Sequence, residues 1–269
     1  MTTFKVKGGV KLKGDLHPQG AKNEALQVLC AVLLTPDEVI MENVPNIRDV
    51  NILIELLKDL NVIVKKIDQN TYTFCAKEVN IKYLSSEEYK NKSSKIRGSI
   101  MILGPLLGRF GKGYIPSPGG DKIGRRRLDT HFIGFQKLGA KFIYDNKEEF
   151  YRVTTKGLHG TKLHLEEASV TGTANIIMTA IMAKGKTSIY NAACEPYIQQ
   201  LCKMLISMGA KITGIGSNLI NIEGVKNLTG CRHKILPDMI EIGSFIGLAA
   251  ITKSEITIKN VSYDNLGLI

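Results

Sequence analysis

One pattern recurs four times along this chain of 269 residues, and it restricts the fold more than any other feature. The copies run from Ala21 to Pro45, Ile96 to Gly120, Gly172 to Pro196 and Asp238 to Ser262. Each has a small or polar residue at its first or second position and continues as an almost wholly apolar run of about three turns, the signature of a helix buried all round. A β-branched stretch follows in Glu38–Met41, Thr187–Tyr190 and Glu255–Ile258. A second element recurs behind the first: Leu56–Val64, Phe135–Ile143 and Leu205–Thr213 each read as the end of an amphipathic helix running into a strand. Gly139 and Gly209 sit where a helix C-cap needs a left-handed residue. In the third copy the apolar face is Tyr197, Leu201, Met204, Leu205 and Met208, at three-and-four spacing. A strand pair is predicted there too, Lys211–Ile215 and Leu219–Glu223 across Gly216-Ser217-Asn218.

The units thus open near Lys22, Ile96 and Gly172, and a fourth opens at Asp238. That fourth unit stops at Ile269 before reaching an amphipathic helix, which reads as a truncated unit; a lone helix and strand docked on the rest is the alternative.

With 43% hydrophobic residues the chain can bury a substantial core. Its net charge of +11 suits an anionic small molecule, nucleic acid, a membrane surface or simply a solvated basic face. No apolar run approaches the ~18 residues of a membrane span, and the N-terminus lacks a signal peptide's apolar core. Cys30, Cys75, Cys194, Cys202 and Cys231 are scattered, with no C-x-x-C pair, and read as reduced thiols of a cytoplasmic protein. The five histidines do not cluster with them, so no metal and no cofactor are expected.

Three places could carry chemistry. In Gln19-Gly20-Ala21-Lys22-Asn23 a Lys-Asn pair opens a buried helix, where free N–H groups and positive potential suit an anion. Plain capping by Asn23 fits the position equally well. Arg97 stands at the equivalent place in the second copy, and the two cations converge if the units pack around a pseudo-symmetry axis. Pro116 to His131 is a Gly- and Pro-marked loop with four cations, the acid Asp121 among them, and a downstream Asp-Thr-His. Arginines in such a loop can clamp phosphates; a solvated charge run is the other reading.

Gly20-Ala21-Lys22-Asn23, Pro118-Gly119-Gly120 with Ile123-Gly124-x-Arg126, Leu236-Pro237-Asp238-x-Ile240-Glu241 and the repeated Leu/Met-Gly-Ala-Lys resemble the UDP-N-acetylglucosamine 1-carboxyvinyltransferase family throughout the chain. The resemblance implies an α/β fold, the inside-out α/β barrel of enolpyruvyl transferases, with residues 22–229 as a complete domain of three repeats. Residues 1–21 and 230–269 would form part of a second domain. It implies transfer of the enolpyruvyl group of phosphoenolpyruvate to the 3-hydroxyl of UDP-N-acetylglucosamine, the first committed step of peptidoglycan synthesis, by a cytoplasmic monomer. The partners would be those two small molecules, with no nucleic acid and no membrane.

Residue by residue, Lys22 and Asn23 match the phosphoenolpyruvate-contacting pair, and Arg126 a residue reaching both ligands. Arg97, Arg127, Leu128, Asp129, Thr130, Ser169 and Val170 stand where the family holds the nucleotide sugar; Glu195 and Asp238 match further site acids. Asp121 stands where most members carry a cysteine that protonates the enolpyruvyl methylene, and Lys22 is the other catalytic residue implied. A carboxyl can donate that proton only with a raised pKa, and the basic loop acts against this. Lacking the thiol, such an enzyme should be insensitive to fosfomycin. Arg127 departs from the common proline and Glu167 from the lysine of some members. The family's general-base aspartate and one phosphate-binding arginine would fall beyond Ile269. The shikimate-pathway enolpyruvyl transferase is the near rival, against which the Pro-Gly-Gly-Asp-Lys-Ile-Gly loop argues. A non-catalytic RNA-binding relative is the distant one, without the stacking aromatics it would need.

Overall fold

The computed structural model of the chain describes residues 3–116, 128–145, 150–267 and 269. After a leading strand β1 (Lys13–Leu16), the first unit comprises α1 (Lys22–Ala31), β2 (Glu38–Glu42), α2 (Arg48–Asp59), β3 (Ile63–Lys66) and β4 (Tyr72–Cys75). A short helix α3 (Glu87–Ser93) leads to the second unit: α4 (Leu103–Phe110), β5 (Lys112–Pro116), α5 (Asp129–Lys137), β6 (Ala140–Asp145) and β7 (Phe150–Thr155). Strand β8 (Lys162–His164) precedes the third, α6 (Val170–Ala180), β9 (Lys186–Tyr190), α7 (Pro196–Ser207), β10 (Lys211–Thr213) and β11 (Leu219–Glu223). Strand β12 (Arg232–Lys234), α8 (Met239–Thr252) and β13 (Glu255–Ile258) complete the order.

The repeat read from the sequence is the repeat that forms. Helices α1, α4 and α6 pack together at the centre, with Ala25, Val28 and Leu29 of α1 and Ile176, Ile177 and Met178 of α6 withdrawn from solvent. Each buried valine, leucine, isoleucine or methionine among them contributes about 1.5–3 kcal/mol. The sheets lie outside these helices, and the amphipathic helices α2, α5 and α7 contribute their apolar faces to the same core, including Tyr197, Leu201, Met204, Leu205 and Met208 of the third unit. All three amphipathic helices are followed by a residue of positive φ: Asn61 (68°), Gly139 (102°) and Gly209 (104°). Asparagine tolerates that conformation well enough to replace glycine in the first copy.

The sheets also repeat. In the first, β2 and β3 flank β4 antiparallel, and β12 adds to β2 in parallel. In the third, β9 and β10 flank β11 antiparallel, and β8 adds to β9 in parallel. The second contains β5, β7 and β6, antiparallel throughout. Every parallel leading strand comes from the chain before or after the unit it joins, so neighbouring units are interlocked. Strand β12, from the end of the third unit, closes the ring on the first. Strand β1 pairs in parallel with β13, Lys13 opposite Glu255 and Leu16 opposite Ile258. The sheets stay separate among the described residues, so the inside-out arrangement is one of packed units, not of a continuous hydrogen-bonded cylinder.

Two local expectations need correcting. The buried helix of the second unit begins as a 3-10 helix, Arg97–Ile102, and becomes α only at Leu103. An α-helix through both stretches would need a Pro105 N–H, and its ring would meet the carbonyl of Met101. The fourth apolar helix, α8, is not buried all round: Ile242 is covered, but Ile240, Ile246, Leu248 and Ile251 are exposed. Among the described residues nothing packs over that face.

Candidate functional site

Gly20 forms an antiparallel bridge with Pro237, and Ala21 N donates to Leu236 O at 2.7 Å. A Cβ at Gly20 would lie 1.9 Å from Asn43 O, so glycine is what lets the strand-like entry to α1 pass so close. Helix α1 then starts at Lys22 without a side-chain cap on Ala21. Asp238 supplies the missing acceptor: one carboxylate oxygen accepts from Lys22 N at 3.3 Å, the other from Ile240 N at 2.9 Å and Glu241 N at 3.4 Å. A single carboxylate therefore serves the starts of α1 and α8, where negative charge is favoured.

Two cavities meet at Lys22 and Asn23. One, of about 190 Å³, is lined by both residues with Arg97, Lys95, Asp49, Leu128, His131 and Thr171. The other, of about 360 Å³, lies between the start of α1 and α8 and is lined by Asp238, Glu241 and Gln19 among others. The helix starts of the first and second units do converge, as the repeat predicts, and they bring three cations to the smaller cavity. The Lys22 ammonium stands 2.5 Å from Asp49 at the start of α2, both groups partly exposed. An incoming anion would compete with that carboxylate for the ammonium.

The remaining predicted residues are distributed around this centre. Leu128 precedes α5 and lines the smaller cavity; Asp129 is the first residue of that helix. Thr130 is buried, and its methyl group lies where a side chain on Gly172 would have to go. Ser169 caps α6, its hydroxyl accepting from Gly172 N at 3.2 Å, and Val170 follows as the first helical residue. Glu195 precedes α7; its Oε2 is buried and finds no partner among the described residues. Next to it the Tyr197 hydroxyl is pushed up to about 12 by burial and by the charge of Asp238. Glu195 and Asp238 do not line the smaller cavity. Asp121, Arg126 and Arg127 lie outside the described residues.

Sequence reasoning passed over Asp49, Lys95 and Thr171 and gave His131 no role of its own. His131 is the end of the Asp-Thr-His run, which could have signalled it; nothing in the sequence marks the others. The His131 ring is buried and held down to about 4 by that burial and by the positive charge of Arg97. Among the described residues no group of metal-ligating side chains could hold an ion, and no helix is long and apolar enough to cross a membrane.

The profile of EPSP synthase (3-phosphoshikimate 1-carboxyvinyltransferase) matches residues 6–268. The chain is similar to UDP-N-acetylglucosamine 1-carboxyvinyltransferases of Bacteroides fragilis (61% identical over 269 residues), Bacteroides thetaiotaomicron (60%) and Porphyromonas gingivalis (57%). It aligns over all of its own length and spans about 62% of the length of these curated relatives. Among solved structures it is similar to the enolpyruvyl transferase NikO from Streptomyces tendae, with a TM-score of 0.74 and 18% identity, covering 89% of this chain and 55% of that one. An EPSP synthase structure from Acinetobacter baumannii aligns at a TM-score of 0.67 and 17% identity, covering 95% and 57%. At such identities these structures speak to the fold alone, and the fold is theirs.

Proposed function

The chain belongs to the EPSP synthase (3-phosphoshikimate 1-carboxyvinyltransferase) family, and from that membership we propose that its residues serve the transfer of the enolpyruvyl group of phosphoenolpyruvate to the 3-hydroxyl of UDP-N-acetylglucosamine as part of the complete enzyme's site, without turning it over alone. The observation that carries this reading is the meeting of Lys22, Asn23 and Arg97 in one cavity at the starts of two unit helices. Cations and helix N-termini aimed at one space suit two anionic substrates. The choice of acceptor rests on the relatives at 57–61% identity, which bear that sugar nucleotide in their names.

In this reading Lys22, Asn23 and Arg126 hold phosphoenolpyruvate. Arg97, Arg126, Arg127, Leu128, Asp129, Thr130, Ser169 and Val170 hold the nucleotide sugar. The sugar 3-hydroxyl gives its proton to a general base that none of these residues supplies and bonds to C2 of phosphoenolpyruvate while Asp121 protonates C3. The tetrahedral adduct then releases inorganic phosphate as C3 gives a proton back, leaving the enol ether. Lys22 balances charge on the phosphate through both steps. Residues 22–229 act as one domain, and residues 1–21 and 230–269 belong to another that meets it across Lys22 and Asp238.

Calorimetric titration of the chain tests the reading. UDP-N-acetylglucosamine should bind saturably, shikimate 3-phosphate should not, and Arg97→Ala should weaken the sugar nucleotide by about 10–100-fold, as loss of a charge-assisted contact predicts. Binding of shikimate 3-phosphate in preference would overturn the acceptor assignment. An Arg97→Ala variant with unaltered affinity would overturn the site.

A further inference from the structure

Behind the smaller cavity, polar side chains run through the middle of helices that are otherwise apolar. Asn175 is completely buried on α6, and its two amide atoms are told apart by their partners. Gly104 N, which can only donate, lies 2.8 Å from Oδ1, so Nδ2 faces the carbonyl of Ile100 at 2.9 Å and His131 Nδ1 at 3.0 Å. An amide nitrogen donates, so His131 Nδ1 accepts. The close approach is built into the sequence, since a Cβ at Gly104 would stand 2.2 Å from Asn175 Oδ1.

The direction of the remaining bonds follows. A neutral imidazole with an accepting Nδ1 carries its hydrogen on Nε2. Burial keeps the ring neutral around neutral pH. Nε2 lies 3.3 Å from the Thr171 hydroxyl, which must therefore accept. Thr171 keeps its own O–H hydrogen, and at the second position of α6 there is no preceding helical turn whose carbonyl could take it. Among the described residues that hydroxyl makes no other hydrogen bond. The side chain is exposed and lines the cavity with Lys22, Asn23 and Arg97.

We propose that Thr171 is a substrate-binding residue of this cavity, its hydroxyl hydrogen reserved for an anionic oxygen of the ligand by a buried relay from Gly104 N–H through Asn175 and His131. His131, at the cavity wall, and Asn175, fully buried behind it, are positioning residues: they fix which way the Thr171 hydroxyl faces. A threonine able to rotate freely would point its hydrogen at the cavity only part of the time. The inference rests on the cavity being the substrate site.

Nitrogen-15 NMR of the histidine rings in the intact chain reads the relay without any ligand: His131 should be neutral at pH 7 with its hydrogen on Nε2. The opposite tautomer overturns the proposal. Calorimetric titrations with UDP-N-acetylglucosamine and with phosphoenolpyruvate then read the binding role. Thr171→Val, nearly isosteric at an exposed position, should weaken at least one of the two ligands about 5–20-fold, as loss of one hydrogen bond predicts. Thr171→Ser should restore it. With His131→Phe already in place, Thr171→Val should cost much less, because the hydroxyl is no longer oriented. Lys22→Ala serves as the control for the site itself. If Lys22→Ala weakens binding while Thr171→Val does not, the relay is refuted and the site stands. If Lys22→Ala is without effect, the site reading fails, and the inference falls with it.

Discussion

Burial and the charge of Arg97 hold the His131 ring down to about 4, whereas the unfolded chain would protonate it near the ordinary histidine value of about 6.5. The unfolded state then binds the proton more readily between those two values. The ring's contribution to stability is complete above pH 6.5 and is lost as pH falls towards 4. Between pH 7 and pH 5 the loss should be about 2 kcal/mol. Urea denaturation at the two pH values should show it, and His131→Gln should remove most of that difference whatever it does to stability at pH 7. An unchanged difference in the variant would mean that other groups cause the acid weakening. The same residue marks how far the site can be read without coordinates. Lys22, Asn23 and Arg97 are legible because they stand at the open ends of a repeated pattern, where a charged or polar residue breaks an apolar context. Asn175 and Thr171 resemble the many tolerated polar residues of a helix, and only the third dimension shows that they meet His131.

At the level of elements the repeat announced the buried helices, the amphipathic helices and the β10–β11 hairpin, because apolar periodicity and turn chemistry are local. The parallel leading strands β8 and β12 went unread: three residues each, alternating exposed and buried, are too short for a periodicity to emerge. The exposure of α8 was equally hidden, since its composition matches that of α1 and α6 and only its neighbours differ. The 3-10 start at Arg97 could have been read from Pro105. Contacts between central helices make the sharpest test at this scale. Helices α4 and α6 approach so closely at Gly104 and Asn175 that no side chain fits between them. Gly104→Ala should destabilise the fold by about 1–3 kcal/mol, as overpacking does, measured as a drop in urea midpoint with an unchanged slope. A neutral result would mean that the two helices can slide apart without loss.

Across the whole molecule, closure of the three-unit ring depends on contacts between its two ends. Glu24 of α1 is fully buried and meets His233 of β12 at 2.8 Å and Leu236 N at 3.2 Å. Burial raises its carboxyl above the usual range, although His233 acts against that. Thr35 donates to Leu228 O at 2.8 Å, Asn43 Nδ2 to Ile235 O at 2.9 Å, and Arg232 pairs with Glu42. Removing Glu24 leaves a buried imidazole and a backbone N–H without their acceptor. Glu24→Ala should therefore lower unfolding free energy by about 2–5 kcal/mol, and hydrogen exchange should quicken first at β12. Uniform quickening throughout the chain would show that the ring does not open at this seam. The pairing of β1 with β13 sets an order in time. On a ribosome making about 5–20 residues each second, Lys13 emerges roughly 12–50 s before Glu255, at that pace the interval needed to extend the chain from position 13 to position 255. The first strand of the chain is thus born without a mate, and the body between its two halves can collapse and close before that pair can form.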